Sequence, residues 1–123
     1  MPSTDLASPN ADLATVRDLA LAAVKPIVLS MGASVGISRN ARCLLAADLT
    51  GDKRPELIVG TSSDNAVSIY KNDGRGGFTT GTKQVVGDYP IALAAADIDK
   101  DGRTDLAAAS FIGHSFTVLF GNG

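Results

Sequence analysis

The sequence predicts an all-β fold, and three observations carry that prediction. Its 123 residues leave room for one modest domain. Two acidic stretches, one starting at Asp48 and one at Asp97, align without a gap at an offset of 49 positions. Each is flanked by short apolar runs of strand length rather than helix length. Dense clusters of Gly, Asn, Asp and Ser separate the runs, and these residues turn a chain.

The first 40 residues admit two readings. Asn10 to Val24 lacks Gly and Pro, and Leu13, Val16, Ala20 and Ala23 form one face of a helix capped by Asn10 and ended by Pro26. Alternatively this is a degenerate repeat, with residues 10–19 laid over the acidic stretches and Ile27-Val28-Leu29 as its third strand. In that register Ala14 and Val16 stand at two of the ligand positions, so no metal site survives.

From residue 41 the pattern is regular. Leu44-Leu45-Ala46-Ala47 is a first strand, Leu57 opens a second, and Val67-Ser68-Ile69-Tyr70 is a third. Ser62-Ser63-Asp64-Asn65 reads as the turn between the last two. Asn72-Asp73-Gly74-Arg75-Gly76-Gly77 is a dense turn, after which Phe78-Thr79-Thr80 and then Lys83-Gln84-Val85-Val86 supply a Thr- and Val-rich fourth strand. Gly87-Asp88-Tyr89-Pro90 leads into the next unit. There Leu93-Ala94-Ala95-Ala96 lies over residues 44–47, and Phe116-Thr117-Val118-Leu119 lies over residues 67–70. The chain therefore divides into residues 1–40, a repeat over 41–90 and a truncated repeat over 91–123. Four short antiparallel strands per unit is the make-up of a propeller blade, so the fold is a partial β-propeller of about two four-stranded blades.

The acidic stretches carry the chemistry. In Asp97-Ile98-Asp99-Lys100-Asp101-Gly102-Arg103-Thr104-Asp105, carboxylates recur at positions one, three, five and nine, with glycine at six. Calcium takes six to eight oxygens at roughly 2.3–2.6 Å, and a short loop of alternating ligands wraps it. Asp97, Asp99, Asp101 and Asp105 are the candidate side-chain ligands, and Arg103 offers its backbone carbonyl. Two carboxylates about 4 Å apart repel by about 1 kcal/mol even in water, so crowding them favours a cation. The pattern matches the first nine positions of an EF-hand loop, but position twelve is Ala108 and the flanks are strand-like. The earlier loop offers Asp48, Thr50, Asp52, the carbonyl of Arg54, and Glu56. Thr50 substitutes a hydroxyl for a carboxylate and Lys53 stands where glycine eases the turn, so weaker calcium binding is expected there.

Residues 95–106, the lead-in Tyr89-Pro90-Ile91-Ala92, and the turn Asn72-Asp73-Gly74-Arg75-Gly76-Gly77-Phe78 together resemble FG-GAP/VCBS-type repeats. These are the calcium-loop blades of integrin α-subunit propellers and of many secreted bacterial and fungal proteins. The resemblance covers roughly residues 41–123, although the Gly-Ala-Pro tripeptide of the family's name is missing. It implies structural calcium, a secreted or cell-surface setting, and presentation of a protein or glycan ligand on the propeller faces, as in adhesion. Alternatives of the same architecture are a lectin-like sugar-binding propeller and the accessory propeller of a polysaccharide-degrading enzyme. With 5% aromatic residues and no Trp, little surface is available for stacking sugars.

Composition excludes other classes. The formal net charge is −2 with no basic cluster, so no nucleic-acid partner is expected. The lone cysteine, Cys43, precludes an intrachain disulfide and reads as a buried, inert thiol; the lone histidine, His114, reads as an exposed turn residue. No signal-peptide pattern opens the chain, and the apolar stretch 19–33 is short for a membrane span and broken by Lys25-Pro26. No nucleophile–base–acid set is visible, so the chain is not expected to be an enzyme. A closed propeller needs four to eight blades; the remainder is expected from a longer parent chain or from association of several copies.

Overall fold

The computed structural model describes residues 25–122, and every structural statement below concerns those residues. The chain divides into two units, residues 1–31 and 32–123. Within the first, residues 25–31 form no regular element. The helical and degenerate-repeat readings of residues 10–24 lie outside the described residues. The strand expected at Ile27-Val28-Leu29 does not form: these side chains are 89%, 82% and 89% exposed. An apolar run becomes a strand only where a neighbour takes its backbone N–H and C=O groups.

The second unit is all-β. Its strands are β1 (Ala41–Ala47), β2 (Glu56–Thr61), β3 (Ala66–Asn72), β4 (Phe78–Val85), β5 (Pro90–Ala96), β6 (Asp105–Ser110) and β7 (Ser115–Leu119). They form two antiparallel meanders, sheet 1 in the order β1-β2-β3-β4 and sheet 2 in the order β5-β6-β7, a partial propeller-like arrangement. No helix occurs among the described residues, and none is long and apolar enough to cross a membrane.

Alternation along the strands builds the core. Leu45 pairs with Ile58 and Ile58 with Ile69, so all three share one face of sheet 1. Leu106 pairs with Ala95 and with Leu119 on one face of sheet 2. Ile58, Val67, Val86, Leu106 and Ala108 form the buried cluster, with Leu45, Ala47, Ile69, Leu93 and Leu119 packed against it. Full burial of a side chain such as Ile58 contributes about 1.5–3 kcal/mol.

The fourth strand forms where the Thr- and Val-rich stretch places it, and it runs through a glycine. Thr80 and Lys83 fall on the same strand, because β4 crosses Gly81 without a break. The register shifts where Gly81 and Thr82 together oppose Ile69, a bulge in β4 that brings Gly81 against the Ile69 carbonyl. A Cβ at residue 81 would collide with that oxygen, so the close approach needs glycine there.

The 49-residue offset reappears in the backbone itself. Left-handed residues occur in pairs: Asn40 (φ 60°) with Tyr89 (61°), Gly51 (80°) with Lys100 (61°), Lys53 (66°) with Gly102 (87°), and Asn65 (51°) with His114 (45°). Turn hydrogen bonds repeat too, Ser62 N–H to Asn40 O at 3.0 Å and Phe111 N–H to Tyr89 O at 2.9 Å. Asn65 also joins the sheets. Its carbonyl accepts from Val86 N at 2.8 Å, its Oδ1 accepts from Tyr89 N at 3.0 Å, and its Nδ2 donates to Asp88 Oδ1 at 2.9 Å.

Candidate metal centre

The β5–β6 connection is a compact loop because its own carboxylates fold it. Asp97 Oδ1 accepts from Asp101 N at 3.1 Å and Oδ2 from Gly102 N at 2.8 Å. Asp99 Oδ1 accepts from Asp101 N at 3.2 Å, and Asp101 Oδ1 from Arg103 N at 2.9 Å. Asp and Asn side chains commonly close turns onto following N–H groups. Lys100 and Gly102, in the left-handed region, supply the reversals that let them do so.

Asp105 stands at the first position of β6 and is fully buried. Its Oδ2 accepts from Ile98 N at 2.7 Å and Asp99 N at 3.4 Å, and its Oδ1 from Gly121 N at 2.8 Å. Donation from Gly121, followed by Ile98 and Asp99, holds its carboxyl below the usual range. Asp99 is pushed the other way, first by desolvation and then by repulsion from Asp101 and Asp105.

These carboxylates converge. Asp97, Asp99 and Asp105 each offer one oxygen, and the three oxygens lie within 4.8 Å of one another. Oxygens on a sphere of about 2.3–2.6 Å radius are at most about 5 Å apart, so the set fits one calcium ion. A carboxylate oxygen has two lone pairs, so the hydrogen bonds holding the loop leave at least one oxygen of each carboxylate able to ligate, Oδ1 in Asp105, whose Oδ2 already accepts twice. Asp101 lies close enough to raise Asp99 but falls outside the converging group, its Oδ1 turned to Arg103 N. Arg103, a candidate through its carbonyl, lines a small cavity of about 200 Å³ together with Asp48, Thr50 and Gly51 of the other loop.

The β1–β2 loop repeats the scaffold without the convergence. Asp48 Oδ2 accepts from Lys53 N at 2.8 Å, Asp52 Oδ1 from Arg54 N at 2.8 Å, and Glu56 Oε2 from Leu49 N at 2.7 Å. Shifted by 49, these are the bonds from Gly102, Arg103 and Ile98. Asp48 Oδ1 also accepts from Gly51 N at 2.7 Å and from Thr50 Oγ1 at 3.4 Å, so Thr50 donates to a carboxylate here. Desolvation works to raise Asp48, but the N–H groups of Lys53, Gly51, Thr50 and Asp52 outweigh it and hold the carboxyl low. Asp48, Asp52 and Glu56 are not gathered into a cluster of metal-binding spacing. Arg54 turns its guanidinium to Gly74, beside Asp73.

Gly121 was not singled out by its sequence. It donates to the buried Asp105 carboxylate and lies so close to the Thr104 carbonyl that a Cβ would collide with it. The available signal was positional: it stands 49 residues after Asn72, which donates through Nδ2 to Pro55 O, the residue equivalent to Thr104, at 3.2 Å. Cys43 is half-buried rather than buried, its thiol 3.9 Å from Pro90 O and raised by desolvation. His114 is exposed in the β6–β7 turn.

Comparison with known proteins agrees with this geometry. No curated protein and no solved structure matches the chain. A family model described as an FG-GAP-like repeat matches residues 33–108, which takes in all of sheet 1, β5, the whole Asp97 loop and the first four residues of β6. With its two sheets related by a 49-residue shift and that match across more than half its length, the chain belongs to the FG-GAP-like repeat family.

Proposed function

We propose that this protein is a calcium-stabilised, non-catalytic repeat module, with its metal site in the β5–β6 loop. The observation that supports this is the convergence of one oxygen each from Asp97, Asp99 and Asp105. Bound calcium would supply the positive charge that offsets the repulsion acting on Asp99. Asp105 anchors the site to β6, Asp97 folds the loop back over it, and Asp101 and the Arg103 carbonyl are the further candidates for the remaining positions. The loop then fixes one rim of sheet 2. In this reading the β1–β2 loop is closed by its own hydrogen bonds and binds calcium weakly. The family supports a role in presenting a protein or glycan ligand at the surface of a secreted or cell-surface protein.

Calorimetric titration with calcium, paired with melting curves with and without a chelator, tests the proposal. One strong site and a higher melting temperature in calcium are expected. Because Asp99 must ionise to bind and its carboxyl is raised, affinity should fall on acidification at a pH above the ordinary Asp value of about 3.9. Absence of both heat and thermal shift at neutral pH would overturn it.

A further inference from the structure

The 49-residue shift that carries β1–β3 onto β5–β7 also carries a covered surface onto a bare one. In sheet 1, the face holding Leu45, Ile58, Val67 and Ile69 is covered by sheet 2, and Ile58 and Val67 are 0% exposed. The equivalent positions of sheet 2 are Ala94, Ala107, Phe116 and Val118. There Ala94 is exposed and Phe116 is 75% exposed. Ala107 and Val118 are half-buried, and Asp105 shares the face at its edge but is buried, so the exposed part of the face is apolar, the character of an interaction surface rather than of an ordinary solvated sheet.

The covering side has a free counterpart as well. Sheet 2 covers sheet 1 with Leu93, Leu106, Ala108 and Leu119. Their equivalents in sheet 1 are Leu44, Leu57, Val59 and Tyr70. Val59 and Tyr70 are already covered, at 6% and 8% exposure, but Leu44 is 66% exposed and its neighbour on the same face of β1, Ala46, is exposed too. The internal contact runs chiefly between β1 and β5. The free strip on β1 is therefore the equivalent of the strip on β5 that does most of the covering.

We propose that a second copy of this chain docks head to tail on the first, its β1 strip at Leu44 and Ala46 seated on the sheet 2 face around Ala94 and Phe116. Leu44 then takes the place beside sheet 2 that Leu93 takes beside sheet 1. The two patches are different, so the interface is heterologous and each copy keeps one free patch at either end, which leads to rings or open chains. The contact is small against the roughly 20–30 residues a side of a standard interface, so each contact forms at micromolar to millimolar concentration.

Sedimentation velocity of the 123-residue chain, up to about 1 mM, should show a concentration-dependent assembly. Phe116→Glu and Leu44→Glu each remove one patch, and each alone should sediment as a monomer with an unchanged melting temperature, since both side chains are exposed. Mixed together they retain one intact pair of patches and should form a one-to-one dimer. Several results would overturn the proposal. They are a wild-type monomer throughout, an assembly indifferent to either change, or a dimer lost with Phe116→Glu but kept with Leu44→Glu, the mark of two sheet 2 faces packed on each other. Two variants that stay apart when mixed would also overturn it.

Discussion

The two acidic loops have the same backbone and different chemistry. Both reverse at positions four and six through left-handed residues, but the residues are exchanged: Gly51 then Lys53 in one, Lys100 then Gly102 in the other. Both close through equivalent hydrogen bonds to the first, fifth and ninth positions. Only the loop with aspartate at positions one, three and nine brings three carboxylates together. In the other, the third position carries Thr50, which donates to Asp48 and so satisfies a carboxylate from within. The turn is therefore specified separately from the carboxylate cluster, by side-chain acceptors for its own N–H groups. Ligation depends on what remains once those bonds are made.

The strongest way to break the comparison is to remove the ninth position in each loop. Glu56→Ala should cost about 2 kcal/mol, because the Leu49 N–H loses its partner beside a buried site. Asp105→Ala should cost more, since Ile98, Asp99 and Gly121 all lose theirs. Urea denaturation of both variants in chelator checks the order, and equal losses would mean that the two scaffolds are not equivalent. The next test separates scaffold from site. At about 100 times its dissociation constant a ligand adds about 2.7 kcal/mol to stability. Asp99→Ala should abolish that gain from calcium while Asp48→Ala leaves it in place, both read from melting curves. The smallest effect sharpens the shared backbone. Lys53→Gly should stabilise by about 0.5 kcal/mol, because the left-handed cost of about 1–2 kcal/mol for a side chain is partly offset by the greater freedom of unfolded glycine. Gly102→Ala should destabilise to a similar extent, and thermal denaturation of the pair reads both.

Much of this was legible in the sequence because the signals were local. Strand-length apolar runs, turn clusters and the repeat placed the seven strands, since alternation and turn chemistry act over a few residues. The ligand spacing likewise pointed to Asp97, Asp99 and Asp105. What stayed hidden depends on partners distant along the chain. Asp101 has the same spacing as its neighbours, and only the folded loop shows its carboxylate outside the group of three whose oxygens converge. Gly121 acts on Asp105 across 16 positions, with nothing but the repeat to mark it. Nothing local marks Gly81 as part of a bulge in the fourth strand, because what requires glycine there is the Ile69 carbonyl of the neighbouring strand. Ile27-Val28-Leu29 had the composition of a strand and forms no regular element, since composition alone does not supply a pairing partner.

Asn65 ties the turn of sheet 1 to the segment that enters sheet 2 through three hydrogen bonds from one residue in a left-handed conformation. Its consequence is cooperative. A repeat whose blades touched only through apolar packing could open one blade at a time, whereas here the amides of Val86 and Tyr89 stay shielded from solvent only while both blades hold their places. Local opening of the first blade therefore deprives the entrance of the second of these three bonds.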